Sequence, residues 1–181
     1  MIVNVHPPLG IFMLPAADIR PATTADASRI CAIYNQYVAA TTISFEEDPV
    51  SADDMARRIA DVNAAGLPWL VLTLDGKVAG YAYATKWRAR PAYRHSVESS
   101  VYLDPGLHGQ GWGARLYRHL IDALRTRELR TVIAGIAQPN DRSVALHERI
   151  GFRKVAHFSE VGFKFGRWID VGYWQMSLKE S

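Results

Sequence analysis

The residues best suited to chemistry in this chain cluster in Val101-Tyr-Leu-Asp-Pro-Gly-Leu-His-Gly-Gln-Gly-Trp-Gly-Ala114. A strand-like run turns at Asp104-Pro105, passes four glycines and enters a helix-like run. Glycines let a backbone approach a ligand closely, and a helix start presents unpaired N–H groups with partial positive charge. Residues His108, Gly109, Gln110, Gly111, Trp112, Gly113 and Ala114 therefore form a candidate pyrophosphate cradle; a glycine-rich turn without a ligand is the plain alternative. A Walker loop would need Gly-Lys-Ser/Thr, which is absent. A dinucleotide fingerprint starting at Gly109 would find its acid at Glu128, but that residue precedes the next strand instead of ending it.

Three further groups stand out. Glu98 lies in Val97-Glu-Ser-Ser-Val101; at a period of two it shares a strand face with Ser100 and Tyr102. A carboxylate that close to a core is costly unless paired or working, so it is either a salt-bridged strand residue or a catalytic acid/base. His147, in Leu146-His-Glu-Arg-Ile-Gly-Phe152, could move a proton near neutrality or simply hold a backbone partner. Gly151 stands where a second histidine would complete a His-Glu-x-x-His pair, so zinc is rejected and no metal is expected. Lys86-Trp-Arg-Ala-Arg-Pro-Ala-Tyr-Arg94 sets four cations among aromatics. If the chain is still extended there, Arg88 and Arg90 alternate onto one face, where arginine can grip a carboxylate bidentately. A solvated basic loop is the alternative.

The elements that must position these groups read as follows. Residues 1–17 form an arm, with Met13 as an alternative start, and residues 18–181 form a single domain. Asp18–Ala22 is a short strand, and Thr23 with Asp26 makes an acidic capping box for a helix running to Ala40. Ser51 caps a second helix that Gly66 and Pro68 end. Trp69–Leu74 and Lys77–Thr85 flank Asp75-Gly76, a strong hairpin signal, and Ser96–Leu103 is the next strand. A helix over Gly113–Arg127, a buried strand Thr131–Ala137 and a short helix Ser143–Ile150 follow, then strand-like patches to Leu178. The order β-α-α-β-β-β-α-β-α-β-β implies an α/β fold with one mixed sheet and helices on both faces.

Composition narrows the class. The chain has 181 residues, is 49% hydrophobic and 22% charged, as expected for a folded domain and not for a disordered or fibrous one. With 21 basic and 18 acidic residues interleaved, the charge argues weakly for a nucleic-acid partner, and none is expected. No apolar run approaches the ~20 residues that span a bilayer, and the first residues lack a signal peptide's basic start. Cys31, the single cysteine, fits a reducing cytoplasm and reads as a core thiol.

The glycine loop also resembles the central motif of the GCN5-related N-acetyltransferase (GNAT) family, Gln/Arg-x-x-Gly-x-Gly/Ala after the fourth strand, with His108 where that pattern has Gln or Arg. Ile33-Tyr-Asn35, Thr42-Ile-Ser-Phe45, Trp87–Tyr93, Val97–Tyr102, Leu146–Phe152 and Gly162–Gly172 look like its phosphinothricin and methionine sulfoximine N-acetyltransferase branch, so the resemblance spans about residues 18–178. It implies the GNAT fold, a mostly antiparallel sheet, and acetyl-CoA-dependent acetylation of the α-amine of a small amino acid or analogue by direct attack on the thioester. It also implies a homodimer, with Phe163–Trp174 near the interface. Such transfer needs an amine deprotonated, an oxyanion held and a thiolate released.

The resemblance assigns Glu98 to the substrate amine as general base, directly or through a water, and sets His147 where relatives place a tyrosine near the departing sulfur. Val101 and Leu103, flanking Tyr102, would pair their backbone groups with the pantetheine amides. Asn140 would lie against the pantetheine arm, besides being a good helix N-cap, with Ser143 beside the cofactor. Arg88 and Arg90 would anchor the substrate acid between walls of Phe45 and Tyr93. Two other functions fit the same loop: a non-catalytic acyl-CoA-binding regulatory module, against which Glu98 and His147 argue, and a peptide N-terminal acetyltransferase, which would need an open groove.

Overall fold

The computed structural model describes residues 15–179. Seven strands form one sheet in the order β1-β2-β3-β4-β5-β7-β6: β1 (Ala17–Pro21), β2 (Trp69–Leu74), β3 (Lys77–Lys86), β4 (Ser96–Leu103), β5 (Thr131–Ala137), β6 (Arg153–Lys164) and β7 (Arg167–Ser177). Every pairing is antiparallel except β4 with β5. The expected arm over 1–17 lies outside the described residues up to residue 14. Ala16 is already tied to the β2–β3 turn: its N–H donates to the Asp75 carboxylate at 3.0 Å.

Helices α1 (Ala27–Ala40) and α2 (Ala52–Ala64) lie on one face, and α3 (Trp112–Arg125) lies on the other; α4 (Asp141–Arg149) follows β5. Alternation along β4 fixes the two faces. Tyr102 packs edge-on against Tyr34 and Tyr37 of α1 at 5.2 and 5.3 Å, while Ser99 meets the Tyr117 hydroxyl of α3 at 2.6 Å. Fully buried Ile30, Ile33, Ile59, Val71, Leu116, Leu120 and Val132 fill the layers between helices and sheet. Each such side chain contributes about 1.5–3 kcal/mol.

Local signals explain the element ends. The Asp26 carboxylate accepts from the Thr23 N–H at 2.9 Å and grips Arg20 at 2.7 and 2.8 Å, which holds its pKa at about 2. That box caps a short 3-10 turn that runs into α1. Ser51 Oγ accepts from Asp54 N–H at 3.1 Å to start α2. The β2–β3 hairpin turns at Asp75 and Gly76, both at positive φ, as a two-residue turn demands.

β3 stops at Lys86, so the strand alternation expected for Arg88 and Arg90 does not hold. The last rung is Trp87 N–H to Ser96 O at 3.2 Å. Pro91 has no N–H to extend the ladder and restricts Arg90 before it, so the chain bends into the turn Pro91–Tyr93.

The feature that makes room for a ligand is a fork. β4 and β5 pair only over Ser96–Glu98 and Thr131–Ile133, then part. On its other side β4 stays paired with β3 as far as Leu103. Asp104 N–H bonds Ala79 O at 2.8 Å, so the even-numbered residues of β4 spend their backbone groups on β3. By the same alternation Val101 and Leu103 turn theirs into the fork, where the next strand is missing.

Candidate active site

Two adjoining hollows, of about 360 and 50 Å³, run along the fork and share Ile43, Val101, Tyr102, Asn140 and Ser143. The larger opens toward the glycine loop. There Gly111 takes a left-handed φ of 83°, which an L side chain meets only with strain, and it delivers the chain into α3. The first helical bond is Arg115 N–H to Gly111 O at 3.1 Å, so the amides of Trp112, Gly113 and Ala114 are the orphan donors of that helix. Gly109 also has positive φ, and Gln110 braces the loop by donating to Gly106 O at 3.1 Å. Arg115 lies 5.7 Å from the Trp112 ring and adds charge at the helix start.

His108 faces inward. Its Nε2 lies 2.8 Å from the Tyr37 hydroxyl and its Nδ1 3.3 Å from Arg142, and burial together with the Arg142 charge lowers its pKa. Tyr37 donates to Leu103 O at 2.5 Å, and burial pushes its pKa up to about 12. The Leu103 carbonyl keeps a second lone pair for a ligand. Asn140 Oδ1 accepts from Ser143 N–H at 3.2 Å and caps α4, which leaves the Asn140 amide group beside both hollows. Tyr102 differs from its neighbours: its backbone belongs to the β3 pairing and its ring to the α1 face, so it forms floor.

Glu98 sits at the last rung before the fork opens, opposite Thr85 on β3 and Ile133 on β5. It is half-buried, and burial raises its pKa, while the charge of nearby Arg88 pulls it down. Gly135 makes the space. A Cβ there would lie 3.4 Å from the Glu98 carboxylate and 3.3 Å from the Tyr173 ring. Arg88 stacks at 5.0 Å on Trp87, whose ring meets Tyr173 edge-on at 5.7 Å. Arg90, by contrast, precedes an exposed turn that carries the exposed Tyr93. Phe45 lies against Gly162 of β6, where an added Cβ would fall 2.5 Å from its ring. The charge of Arg88 therefore reaches Glu98 without an ion pair between them, while Arg90 and Tyr93 lie on the loop beyond.

His147 is only 4% exposed and lines the smaller hollow. Its ring is held edge-on between Tyr117 at 5.0 Å and Phe152 at 5.2 Å. Nδ1 lies 2.7 Å from Ser143 O, an acceptor, so the proton sits on Nδ1 and Nε2 carries a lone pair. Burial lowers its pKa, against the opposing pull of that bond.

Sequence reasoning missed Tyr37 as a site residue, along with Arg142, Ile43 and Gly135. A lone glycine inside a strand pattern signals close approach, so Gly135 was findable. Tyr37 falls inside the helix expected to run to Ala40, and nothing in sequence distinguishes it from Tyr34.

A helix N-terminus behind a glycine loop, a forked parallel pair and a half-buried carboxylate at the fork's apex define an acyl-transfer class of site. Residues 19–172 match the model of the acetyltransferase (GNAT) domain, and the chain belongs to the GNAT family. It is 40% identical to a phosphinothricin N-acetyltransferase of Streptomyces viridochromogenes, with 90% of this chain and 88% of that one aligned. It is also 40% identical to an L-methionine sulfoximine/L-methionine sulfone acetyltransferase of Pseudomonas aeruginosa, over 90% and 95% of the two chains. A GNAT superfamily phosphinothricin acetyltransferase from Sinorhizobium meliloti, solved in complex with acetyl-CoA, superposes with a TM-score of 0.86 at 37% identity, over 89% and 88% of the chains. The expected fold and family are those observed, and the protein is an N-acetyltransferase of this type.

Proposed function

We propose that this enzyme moves the acetyl group of acetyl-CoA to the α-amine of a small amino acid or analogue of the phosphinothricin, methionine sulfoximine or methionine sulfone kind. The observation that carries the reading is Glu98, an acid half-buried at the apex of the fork with Arg88 beside it. The names and bound ligand of the relatives support the choice of substrates. Acetyl-CoA supplies an activated acyl group as a thioester. The amides from Gly109 to Ala114 hold the pyrophosphate, with Arg142 and Arg115 nearby. Val101 and Leu103 pair with the pantetheine amides as a missing strand would, and one of their N–H groups holds the thioester oxygen.

Glu98 takes the proton that the substrate ammonium must lose, directly or through one water; burial makes it a stronger base than a free glutamate. The nitrogen then attacks the thioester carbonyl carbon, the C–S bond breaks, and a proton reaches the sulfur. Neutral His147 carries its lone pair on Nε2, so it can protonate the sulfur only after taking up the second proton, which the nitrogen loses once the C–N bond has formed. Arg88 holds the substrate carboxylate and Phe45 bounds its side chain; Arg90 and Tyr93, on the exposed loop beyond, have no part in this reading.

The enzyme works as a homodimer in the cytoplasm, residues 18–181 acting as one domain. Support for the dimer comes from Val161, Phe163, Phe165 and Trp168, apolar and more than half exposed at the β6–β7 end. Trp174, expected in the same patch, is 1% exposed and donates to Glu148 at 3.2 Å, so it belongs to the fold. Cys31, free and buried, fits the compartment. Calorimetry with acetyl-CoA and with NAD tests the cradle: acetyl-CoA should bind in the micromolar range without added metal, and preferential NAD binding would overturn the reading.

A further inference from the structure

Lys164 ends β6 and is 2% exposed, one of the largest fully buried side chains of the protein. Its Nζ donates to Val38 O at 2.8 Å and to Ser44 O at 2.7 Å, and it stands 4.9 Å over the Phe165 ring. Val38 O is among the last four carbonyls of α1, which have no partner within the helix. A cation there also meets the negative end of the helix dipole. Ser44 lies in the loop that leaves α1, and its hydroxyl meets the Tyr34 hydroxyl at 2.7 Å. Of the residues on either side of Ser44, Ile43 reaches the fork and Phe45 reaches β6. Ile43 lines both hollows of the fork, and the Phe45 ring lies on Gly162, two residues before Lys164.

We infer that Lys164 is a positioning residue: its buried ammonium pins residues 43–45 between α1 and β6, fixing Ile43 and Phe45 as the wall of the acceptor side of the fork. The role of that wall rests on the acetylation proposed above; the pinning does not. Burying an ammonium is costly, and this one is repaid by two carbonyls from different segments that would otherwise stay unpaired. A lysine suits the task because three donors radiate from one atom at the end of a long stem. The planar fork of arginine would not converge on two such oxygens.

The test is Lys164→Met in the full chain, read by steady-state kinetics and by amide hydrogen exchange. Exchange should quicken at residues 41–47 while β4 and α3 stay protected. Acceptor kcat/KM should fall about 10²-fold, the scale of a ~1 Å misplacement. Most of that loss should lie in acceptor KM. Wild-type values of both exchange and acceptor KM would overturn the inference, as would protection lost evenly across the molecule. Gly162→Ala keeps the ammonium but drives Phe45 aside, so it decides the matter should Lys164→Met yield no folded protein: acceptor KM should rise, and an unchanged KM overturns the inference. If the wild-type enzyme acetylates none of the proposed acceptors, the functional reading fails, and hydrogen exchange still decides the pinning.

Discussion

In the proposed reaction Glu98 acts through its position, half-buried where two strands part. Glu98→Gln should lower kcat by about 10²–10⁴-fold, the usual worth of a general base, with acetyl-CoA affinity unchanged by calorimetry. Because burial raises its pKa, the acid limb of the kcat/KM profile should lie above the ordinary glutamate value of ~4.3, activity rising with pH through it. The Gln variant should lack that limb. Arg88→Ala should raise KM for a free amino acid far more than for its amide; equal effects would mean that Arg88 does not read the carboxylate. His147 tests a different property. Burial depresses its folded pKa below the unfolded ~6.5, so the unfolded chain binds the extra proton below that pH. Its contribution is full above pH ~6.5 and is lost as pH falls toward the folded value. Thermal melts between pH ~7 and ~5 should show that slope, and His147→Phe should flatten it. Glu98 was legible in sequence as an acid on a strand face, and His147 as a helix residue. The tautomer of His147 was not, because it depends on which carbonyl lies 2.7 Å away.

At the scale of elements, the cradle and the fork differ in what betrayed them. Glycines before a helix announce a cradle, and the chain enters α3 as that pattern foretells, one residue early at Trp112. Gly111→Ala places a Cβ at a φ of 83°, a strain of about 1–2 kcal/mol. If the loop relaxes, the amides turn away, and titration should show acetyl-CoA binding weakened by about tenfold or more. The fork had no such sign. Strand order and pairing length are set by contacts far apart in sequence, and a strand that stays paired reads the same as one that parts after three residues. The basic loop misled for a local reason: Pro91 ends the ladder, so alternation stops at Lys86. Gly135→Ala should crowd Glu98 and Tyr173 and lower kcat while leaving the cradle intact; full activity would show that this close approach is dispensable.

For the whole molecule, six of the nine exposed large apolar side chains among the described residues lie on β6, β7 and the turn between them, where Trp168 is 62% exposed. Sedimentation should give twice the chain mass, and Trp168→Glu should shift it toward the chain mass; a wild-type monomer at working concentration would contradict the dimer. The central claim is that the fork joins a bound thioester to an amine delivered at Glu98. Its most direct test is CoA release from acetyl-CoA with phosphinothricin, methionine sulfoximine and methionine sulfone as acceptors, measured for the wild-type enzyme and for Glu98→Gln at neutral pH. Release that requires one of these acceptors, yields its N-acetyl product by mass, and collapses in the variant is the predicted result. Acceptor-independent release, or equal rates in the two proteins, would contradict the account.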